Sequence, residues 1–181
     1  MHDDHALAQY QQILQSDPGN ERALSGAGEA AFHLARYRIA QGYLQSAVRA
    51  DSSNLQARQF LETANLVLHS DPFAPRISDA ERNRRVRSAF LRAGDRLDSC
   101  AKAHAIDLSP QSPSSGMPSL KAQWLGMKSK LARRPVPGDG MLDQPMDLVF
   151  EIERQTQIVC GSAEGLDQAL LLISQDHAGV R

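Results

Sequence analysis

Residues 6–54 read ALAQYQQILQSDPGNERALSGAGEAAFHLARYRIAQGYLQSAVRADSSN, and this stretch decides the fold because it repeats itself. When the chain is shifted by 34 positions, small and polar residues fall on identical residues and apolar residues fall on apolar ones. The identical pairs are Ala6 with Ala40, Asp17 with Asp51, Asn20 with Asn54, Ala23 with Ala57 and Ala30 with Ala64. Identities at one fixed offset predict an array of similar structural units.

The spacing within one unit is helical. Ala40, Leu44 and Ala47 recur at intervals of four and three, which places them on one face of a helix. Small residues on that face let a neighbouring helix approach closely, and Gly28 on the preceding helix predicts another close approach. Turn-forming residues follow each helix, so Asn20 and Asn54 are expected to be N-caps.

The pattern resembles the tetratricopeptide repeat, a helix-turn-helix unit of about 34 residues, over residues 3–72. Its signature positions are matched by Gly28, Tyr37, Ala40, Leu44 and Ala47. Leu24 stands where an aromatic residue is usual and Ser52 where a proline is usual, whereas Pro18 keeps that proline. The resemblance implies one whole repeat at 21–54, the second helix of an earlier repeat at 3–17, and the first helix of a later unit at 55–69.

The first helix therefore lacks the helix with which it would form a repeat. An apolar face carrying Leu7, Tyr10 and Leu14 is expected to have no local partner, although about three repeats are normally needed to bury a continuous core. Three explanations remain open: the chain is a fragment of a longer product, its C-terminal half covers the face, or another chain does. The last includes self-association through helix 3–16.

The C-terminal half departs from the repeat period after Asp71-Pro72. Ser78 and Glu81 form a capping-box pattern that predicts a long helix at 79–105. Further helices are predicted at 119–133, at 143–160, and after a cap at Ser162. Residues 146–153 alternate like a strand but also fit a helix, and the helical surroundings favour the helix. Ser/Pro-rich residues 107–118 and Pro/Gly-rich residues 134–143 are predicted loops.

We expect an all-α fold with two parts: a short stack of helical hairpins, followed by a long helix and a small helical bundle. The predicted domains are 1–75, with repeat character, and 76–181, a helical C-terminal extension. This second part is similar to the extensions of some uncharacterised bacterial repeat proteins, a resemblance that implies no function.

Charge is balanced overall but not locally. The chain has 181 residues with 20 basic and 21 acidic side chains, which argues against a protein that binds nucleic acid along its whole length. Residues 76–104 nevertheless carry eight basic and four acidic residues, and residues 138–181 carry eight acidic and two basic. The favoured interpretation is that acidic and basic helices pair within one bundle. The alternative is a nucleic-acid-binding module that uses the arginines of helix 82–96.

Enzyme, metal and membrane functions gain no support from motifs. No phosphate-binding loop, nucleophile elbow or zinc-protease motif is present, so neither an enzyme nor a cofactor is expected. His2 and His5 beside two aspartates, and Asp139, Asp143 and Asp147, lack the spacing of known metal sites, and we expect no metal. No apolar run approaches the ~20 residues that span a bilayer. The acidic N-terminus is not a secretory signal, which favours the cytoplasm, or the periplasm if the chain is a fragment of an exported protein.

The two cysteines are a candidate disulfide. Cys100 lies on the apolar face of the long helix and Cys160 at the end of a later one. If those helices are antiparallel neighbours the sulfur atoms meet. Otherwise both remain buried thiols, and a disulfide would require an oxidising compartment.

The resemblance also implies a function, which is the binding of a peptide or protein partner by a non-catalytic scaffold. In the resembled family, the first helices of the hairpins line a concave groove. The positions that match are Arg22, Ser25, Glu29, Phe32, His33, Gln56, Gln59, Thr63, Leu66 and Val67. Phe32 and His33 have a second interpretation as packing residues. Glu29 would repel a terminal carboxylate, so we expect an apolar or mixed peptide as the partner.

Overall fold

The computed structural model describes residues 2–109, 116–133 and 143–178. These residues form helices and no strand, which confirms the predicted all-α fold. Among them, no helix combines the length and the apolar character needed to cross a bilayer. The helices are α1 (His2–Ser16), α2 (Glu21–His33), α3 (Tyr37–Ala50), α4 (Leu55–Ser70), α5 (Asp79–Ala103), α6 (Met117–Arg133), α7 (Asp143–Cys160) and α8 (Gly165–Ala178).

The chain divides into an N-terminal unit, Met1–His69, and a C-terminal unit, Ser70–Arg181. The division falls a few residues before the predicted boundary at 75. The reason is that the segment after α4 is held by α5. Arg85 donates a hydrogen bond to the carbonyl oxygen of Asp71 at 2.8 Å, and Arg82 donates one to that of Pro72 at 3.2 Å.

Two asparagine N-caps, 34 residues apart, mark the starts of α2 and α4 in the N-terminal unit. The side-chain oxygen of Asn20 accepts a hydrogen bond from the backbone N–H of Ala23 at 3.0 Å, and that of Asn54 accepts one from Ala57 at 2.9 Å. Both bonds satisfy an N–H that has no partner inside its helix. The predicted caps are therefore confirmed, one at the start of α2 and one at the start of α4.

Close packing between α2 and α3 depends on Gly28. A Cβ atom at this position would lie 2.6 Å from Cγ of Leu44, which is fully buried. A side chain there would separate the helices, so the predicted close approach is confirmed.

The expectation that α1 leaves Leu7, Tyr10 and Leu14 without a partner is wrong. Leu7 is only 3% exposed, and Tyr10 lies across Gly26 of α2, where a Cβ atom would meet its ring. Leu14 is half-buried. The side of α1 that faces α2 is therefore covered within the unit, and the large apolar residue of α1 that stays exposed is Ile13, at 43%.

Two parallel helices form the centre of the C-terminal unit. Arg96 of α5 contacts Thr156 of α7, and one helical turn further along Cys100 contacts Cys160. The two residues of each pair are 60 positions apart. A constant offset means that α5 and α7 run in the same direction. An antiparallel arrangement, which we gave as the condition for a disulfide, is therefore not needed: the cysteines meet between parallel helices, because α6 returns the chain between them.

Helices α6 and α8 run antiparallel to the central pair. In α6, Trp124 packs on Phe90 and Gly94 while Lys121 pairs with Asp98 further along α5. In α8, Asp167 contacts α5, and His177 approaches Asp71, which precedes α5. Each of α6 and α8 packs against both α5 and α7. The unit is thus a four-helix arrangement with the parallel pair inside.

This central position explains the ambiguous pattern at 146–153, which is helical. Met146, Val149 and Ile152 are fully buried, and Leu148 and Phe150 nearly so. A helix covered on several sides loses the polar stripe that normally reveals its period.

The segment between α7 and α8 agrees with one of two predictions. Gly161 ends α7 with a φ of 84°, as predicted. Ser162 is not the cap of the last helix, because α8 begins only at Gly165. Most of the predicted loops, at 110–115 and 134–142, lie outside the described residues.

Candidate functional site

Helices α2 and α4 lie side by side and carry the predicted groove residues. The side-chain amide of Gln56 in α4 donates to the two carboxylate oxygens of Glu29 in α2, at 3.3 and 3.4 Å. One turn earlier, Asn54 donates to the hydroxyl of Ser25 at 3.4 Å. The two helices therefore present one continuous face, here called the α2/α4 surface: Arg22, Ser25, Glu29, His33, Gln56, Gln59, Phe60 and Thr63.

Three residues expected in the groove do not belong to this surface. Phe32 is 7% exposed and packs edge-on against Tyr37 and Phe60, with ring centroids 5.4 and 4.9 Å apart. Its role is core packing. Val67 is 4% exposed, and Leu66 lines a different groove, between α3 and α4.

Phe60 is a residue of this surface that the sequence pattern did not predict. It is half-buried, and its ring lies 5.6 Å from that of His33 and 4.9 Å from that of Phe32. The sequence did contain an indication of this difference, because Phe60 stands at the position that Gly26 occupies one repeat, or 34 residues, earlier. At Gly26 the space is filled by Tyr10 from α1, whereas at the equivalent place in α4 the aromatic ring belongs to the helix itself.

The α2/α4 surface is polar with one acidic group near its centre. His33 Nε2 lies 3.7 Å from Oε1 of Glu29, and both side chains are well exposed. Thr63 donates its hydroxyl hydrogen to the carbonyl of Gln59 at 3.0 Å. The amide of Gln59 is exposed. Exposed amide, hydroxyl and imidazole groups of this kind pair well with the backbone of an extended peptide.

A second groove of the N-terminal unit, about 440 Å³ in volume, lies between α3 and α4. The repeat offset of 34 pairs each residue of α4 with one of α2. The α4 residues that line this groove correspond to α2 residues on the side that packs against α3. Leu61 thus corresponds to the buried Ala27, and Glu62 to Gly28. The charged Glu62 at the close-approach position disfavours a further helix packed as tightly as α3 packs on α2.

The C-terminal unit contains a cluster of charges between α5, α7 and α8, which is largely buried except for the exposed side chain of Arg92. Arg92 contacts both oxygens of Asp167, at 2.6 and 2.8 Å. Arg96 lies 3.1 Å from the same carboxylate and donates to the hydroxyl of Thr156 at 2.7 Å. Glu153 lies 3.3 Å from Nε of Arg96. We call these five residues the charged layer.

Glu153 is the unusual member of the charged layer. It is 0% exposed, and neither carboxylate oxygen has a hydrogen-bond partner among the described residues. Burial is the main cause that raises the pKa of Glu153 to about 8. The neighbouring Asp167 raises it further, against the opposing charges of Arg96 and Arg92. A carboxyl group in this setting is largely protonated at neutral pH.

The two cysteines meet one helical turn beyond this layer. Cys100 and Cys160 form a disulfide bond whose Cα atoms are 5.8 Å apart. Cys100 is 5% exposed, and its sulfur lies 4.0 Å from the carbonyl oxygen of Thr156.

Most arginines of α5 are paired within the unit. Arg84 and Arg85 both bind Glu81, at 2.6 and 2.7 Å, and these hydrogen bonds lower the pKa of Glu81 to about 2. Arg92 and Arg96 belong to the charged layer. The interpretation that basic and acidic helices pair within the bundle is confirmed for Arg92 and Arg96, which contact Asp167 of α8 and Glu153 of α7. Arg84 and Arg85 are instead paired within α5 itself. Both kinds of pairing leave less positive charge available to a phosphate backbone.

Among the described residues, no group of three or more His, Cys, Asp and Glu side chains is arranged to hold a metal ion. His2 and His5 are exposed on α1, and Asp143 and Asp147 are exposed on α7. Asp139 lies outside the described residues. These side chains therefore do not form the ligand set of a cation site in the described part of the chain.

No protein-family model and no solved structure matches the chain. The resemblance to the tetratricopeptide repeat is therefore carried by the residues themselves, and it stays a prediction about family. The all-α architecture does not depend on it.

Proposed function

We propose that the chain is a non-catalytic scaffold of tetratricopeptide type that binds a peptide or protein through the α2/α4 surface. The observation that carries this proposal is the contact between Gln56 and Glu29. It joins α2 and α4, which would be the first helices of two successive repeats, into one face. A surface of this kind offers a partner several side chains from each helix.

The repeat character is supported by local geometry. The caps at Asn20 and Asn54 recur at the 34-residue period and make the same hydrogen bond. Gly28 and Leu44, two signature positions, are in direct van der Waals contact across the hairpin. Features that recur at the same offset in both sequence and geometry favour a repeat over a coincidental helical pair.

The chemistry of the surface indicates the kind of partner. Glu29 carries the negative charge in the central part of the α2/α4 surface. A basic side chain of a peptide is therefore favoured next to Glu29. The half-buried ring of Phe60 offers an apolar contact beside His33. We therefore propose a peptide that combines one apolar and one basic side chain, with its polar backbone groups bound by the glutamines.

The test is a selection from a displayed random-peptide library on the full-length chain, followed by affinity measurements with the selected peptide. Gln59→Ala and Glu29→Gln should each weaken binding by about fivefold or more, since a lost hydrogen bond costs about 1 kcal/mol. Gln45→Ala is the matched control, because Gln45 is an exposed glutamine of α3 outside the α2/α4 surface. Equal binding by all three variants would contradict the proposal.

The alternative, nucleic-acid binding by α5, makes an opposite prediction about salt. Affinity for a duplex oligonucleotide would fall steeply and linearly in log salt concentration. Peptide binding on the α2/α4 surface should change much less. Measuring both over the same salt range separates the two functions.

A further inference from the structure

The disulfide and the charged layer occupy successive turns of the same helix pair. In α5, Cys100 follows Arg96 by four residues, and in α7, Cys160 follows Thr156 by four. Residues four apart lie on one face of a helix. The covalent bond therefore fastens α5 and α7 directly beside the place where Arg96 and Glu153 are enclosed.

The charged layer is costly to enclose. A buried ionisable group without hydrogen bonds is penalised relative to the same group in water. Glu153 has no hydrogen bond within the described residues, because Nε of Arg96 gives its hydrogen to Thr156 and the rest of that guanidinium faces Asp167 and Gly161. Separating α7 from α5 would relieve this penalty by admitting water to Glu153.

We propose that the Cys100–Cys160 disulfide is a redox-sensitive lock that keeps the charged layer closed. While the bond is intact, the C-terminal half of α7 stays packed on α5 and Glu153 stays dry. When the bond is reduced, the C-terminal turns of α7 separate from α5 and water reaches Glu153.

The opening step is thiol–disulfide exchange with a dithiol reductant. A thiolate of the reductant attacks the sulfur of Cys160, which is half-buried, whereas Cys100 is almost fully enclosed. A mixed disulfide forms, and Cys100 leaves as a thiolate and takes up a proton. The second thiol of the reductant then displaces Cys160, which also becomes a thiol. The protein disulfide gains two electrons and two protons, and the reductant ends as its own disulfide.

Opening changes the charge of the layer as well as its contacts. Arg92 and Arg96 face Glu153 from α5 and Asp167 faces it from α8, and no charged group in the described part of α6 shifts it appreciably. Once water enters, the carboxyl group of Glu153 ionises at neutral pH and releases one proton. The resulting carboxylate is better solvated in the open form, so ionisation favours the open form further.

The experiment is hydrogen exchange of the full-length chain at neutral pH, with and without dithiothreitol. On reduction, peptides covering 153–160 should exchange about tenfold faster or more, which corresponds to about 1.4 kcal/mol of lost protection. Peptides covering α3 serve as the internal reference. In Glu153→Gln, which is neutral and of the same shape, reduction should accelerate exchange by less than about threefold.

The double variant Cys100→Ser with Cys160→Ser is the control, and dithiothreitol should leave its exchange unchanged. Three results would overturn the proposal. The first is two titratable thiols in the chain before reduction. The second is equal exchange at 153–160 with and without reductant. The third is an equal response of Glu153→Gln and the unaltered chain, since the disulfide would then hold the helices without any contribution from the charged layer.

Discussion

Arg96 Nε lies 3.3 Å from Oε2 of Glu153, yet its hydrogen bond goes to the hydroxyl of Thr156 at 2.7 Å. The threonine hydroxyl in turn donates to the carbonyl of Ile152 at 2.8 Å. Arg96 thus gives its Nε hydrogen elsewhere, and among the described residues the carboxyl group of Glu153 receives electrostatic attraction without a hydrogen bond. This arrangement makes Glu153 a proton-binding group inside the C-terminal unit.

Stability should therefore fall as pH rises. The pKa of Glu153 is about 8 in the folded chain against an ordinary value of 4.5. Its contribution to the free energy of unfolding is fully present below pH 4.5 and is lost as pH rises toward about 8. Each pKa unit is worth about 1.4 kcal/mol, so the total loss is on the order of a few kcal/mol.

Urea denaturation at about pH 5, 7 and 9 measures this loss. Glu153→Gln should remove most of the decline and be more stable than the unaltered chain at the highest pH. Glu151→Gln is the control, because Glu151 is partly exposed and its pKa is lowered, mainly by Arg154. A decline that survives in Glu153→Gln would assign the proton to another group, such as Asp176, whose pKa burial also raises.

Gly28→Ala should destabilise the N-terminal unit although alanine is the better helix former. Its Cβ atom would come within 2.6 Å of Leu44, and Leu44 has no room to move because it is fully buried. Overpacking of this kind costs about 1–3 kcal/mol. Gly42→Ala is the matched control, since nothing lies within 4 Å of the added atom, and it should stabilise α3 by up to ~1 kcal/mol. Thermal unfolding of the two variants should move the melting temperature in opposite directions.

A second pair of glycines tests the packing of α6 on α5. A Cβ atom at Gly94 would lie 2.3 Å from the indole of Trp124, which stacks on Phe90 and donates to its carbonyl oxygen at 2.8 Å. Gly94→Ala should displace the indole and shift its fluorescence toward that of a solvated tryptophan. The signal is unambiguous because the chain has one tryptophan. Gly126→Ala meets nothing within 4 Å and should leave the spectrum unchanged.

The sequence predicted those features that are determined locally. The caps at Asn20 and Asn54 and the stop at Gly161 depend on residues close in the chain, and the structure confirms them. The close approach at Gly28 was also predictable, because the repeat offset identified its partner helix.

Features that depend on how distant helices pack were not predictable, although Cys100 and Cys160 were a candidate pair from the sequence. The parallel arrangement of α5 and α7 follows from packing between residues 60 apart. The spacing of apolar residues within each helix does not reveal how two helices are oriented. Glu153 was missed for the same reason. Beside Glu151 it reads as an ordinary surface acid, and only the positions of α5 and α8 enclose it completely. Phe60 had a sequence signal in the repeat offset, but its position beside His33 required the structure.

Helix α1 should open before α3 in hydrogen exchange of the full-length chain. It buries Leu7 alone, whereas α3 buries Tyr37, Ala40, Leu44 and Ala47. Its polar links to the rest of the unit, from Asp4 to Arg36 and from Gln11 to Tyr43, are exposed and add little stability. Segments with few buried apolar contacts open at lower free energy than the core.

Gly26→Ala should widen this difference. The added Cβ atom would lie 2.3 Å from the ring of Tyr10, so the ring must leave its place on α2 and α1 loses that contact, while the α2–α3 contact at Gly28 is untouched. Exchange of residues 3–16 should accelerate, and exchange of residues 37–50 should stay constant. In Tyr10→Ala the same glycine substitution has no ring to displace, so its effect on α1 should largely vanish, as a double-mutant cycle would measure. If residues 3–16 instead exchanged more slowly than α3 in the unaltered chain at low concentration, α1 would be held by more than its contact with α2.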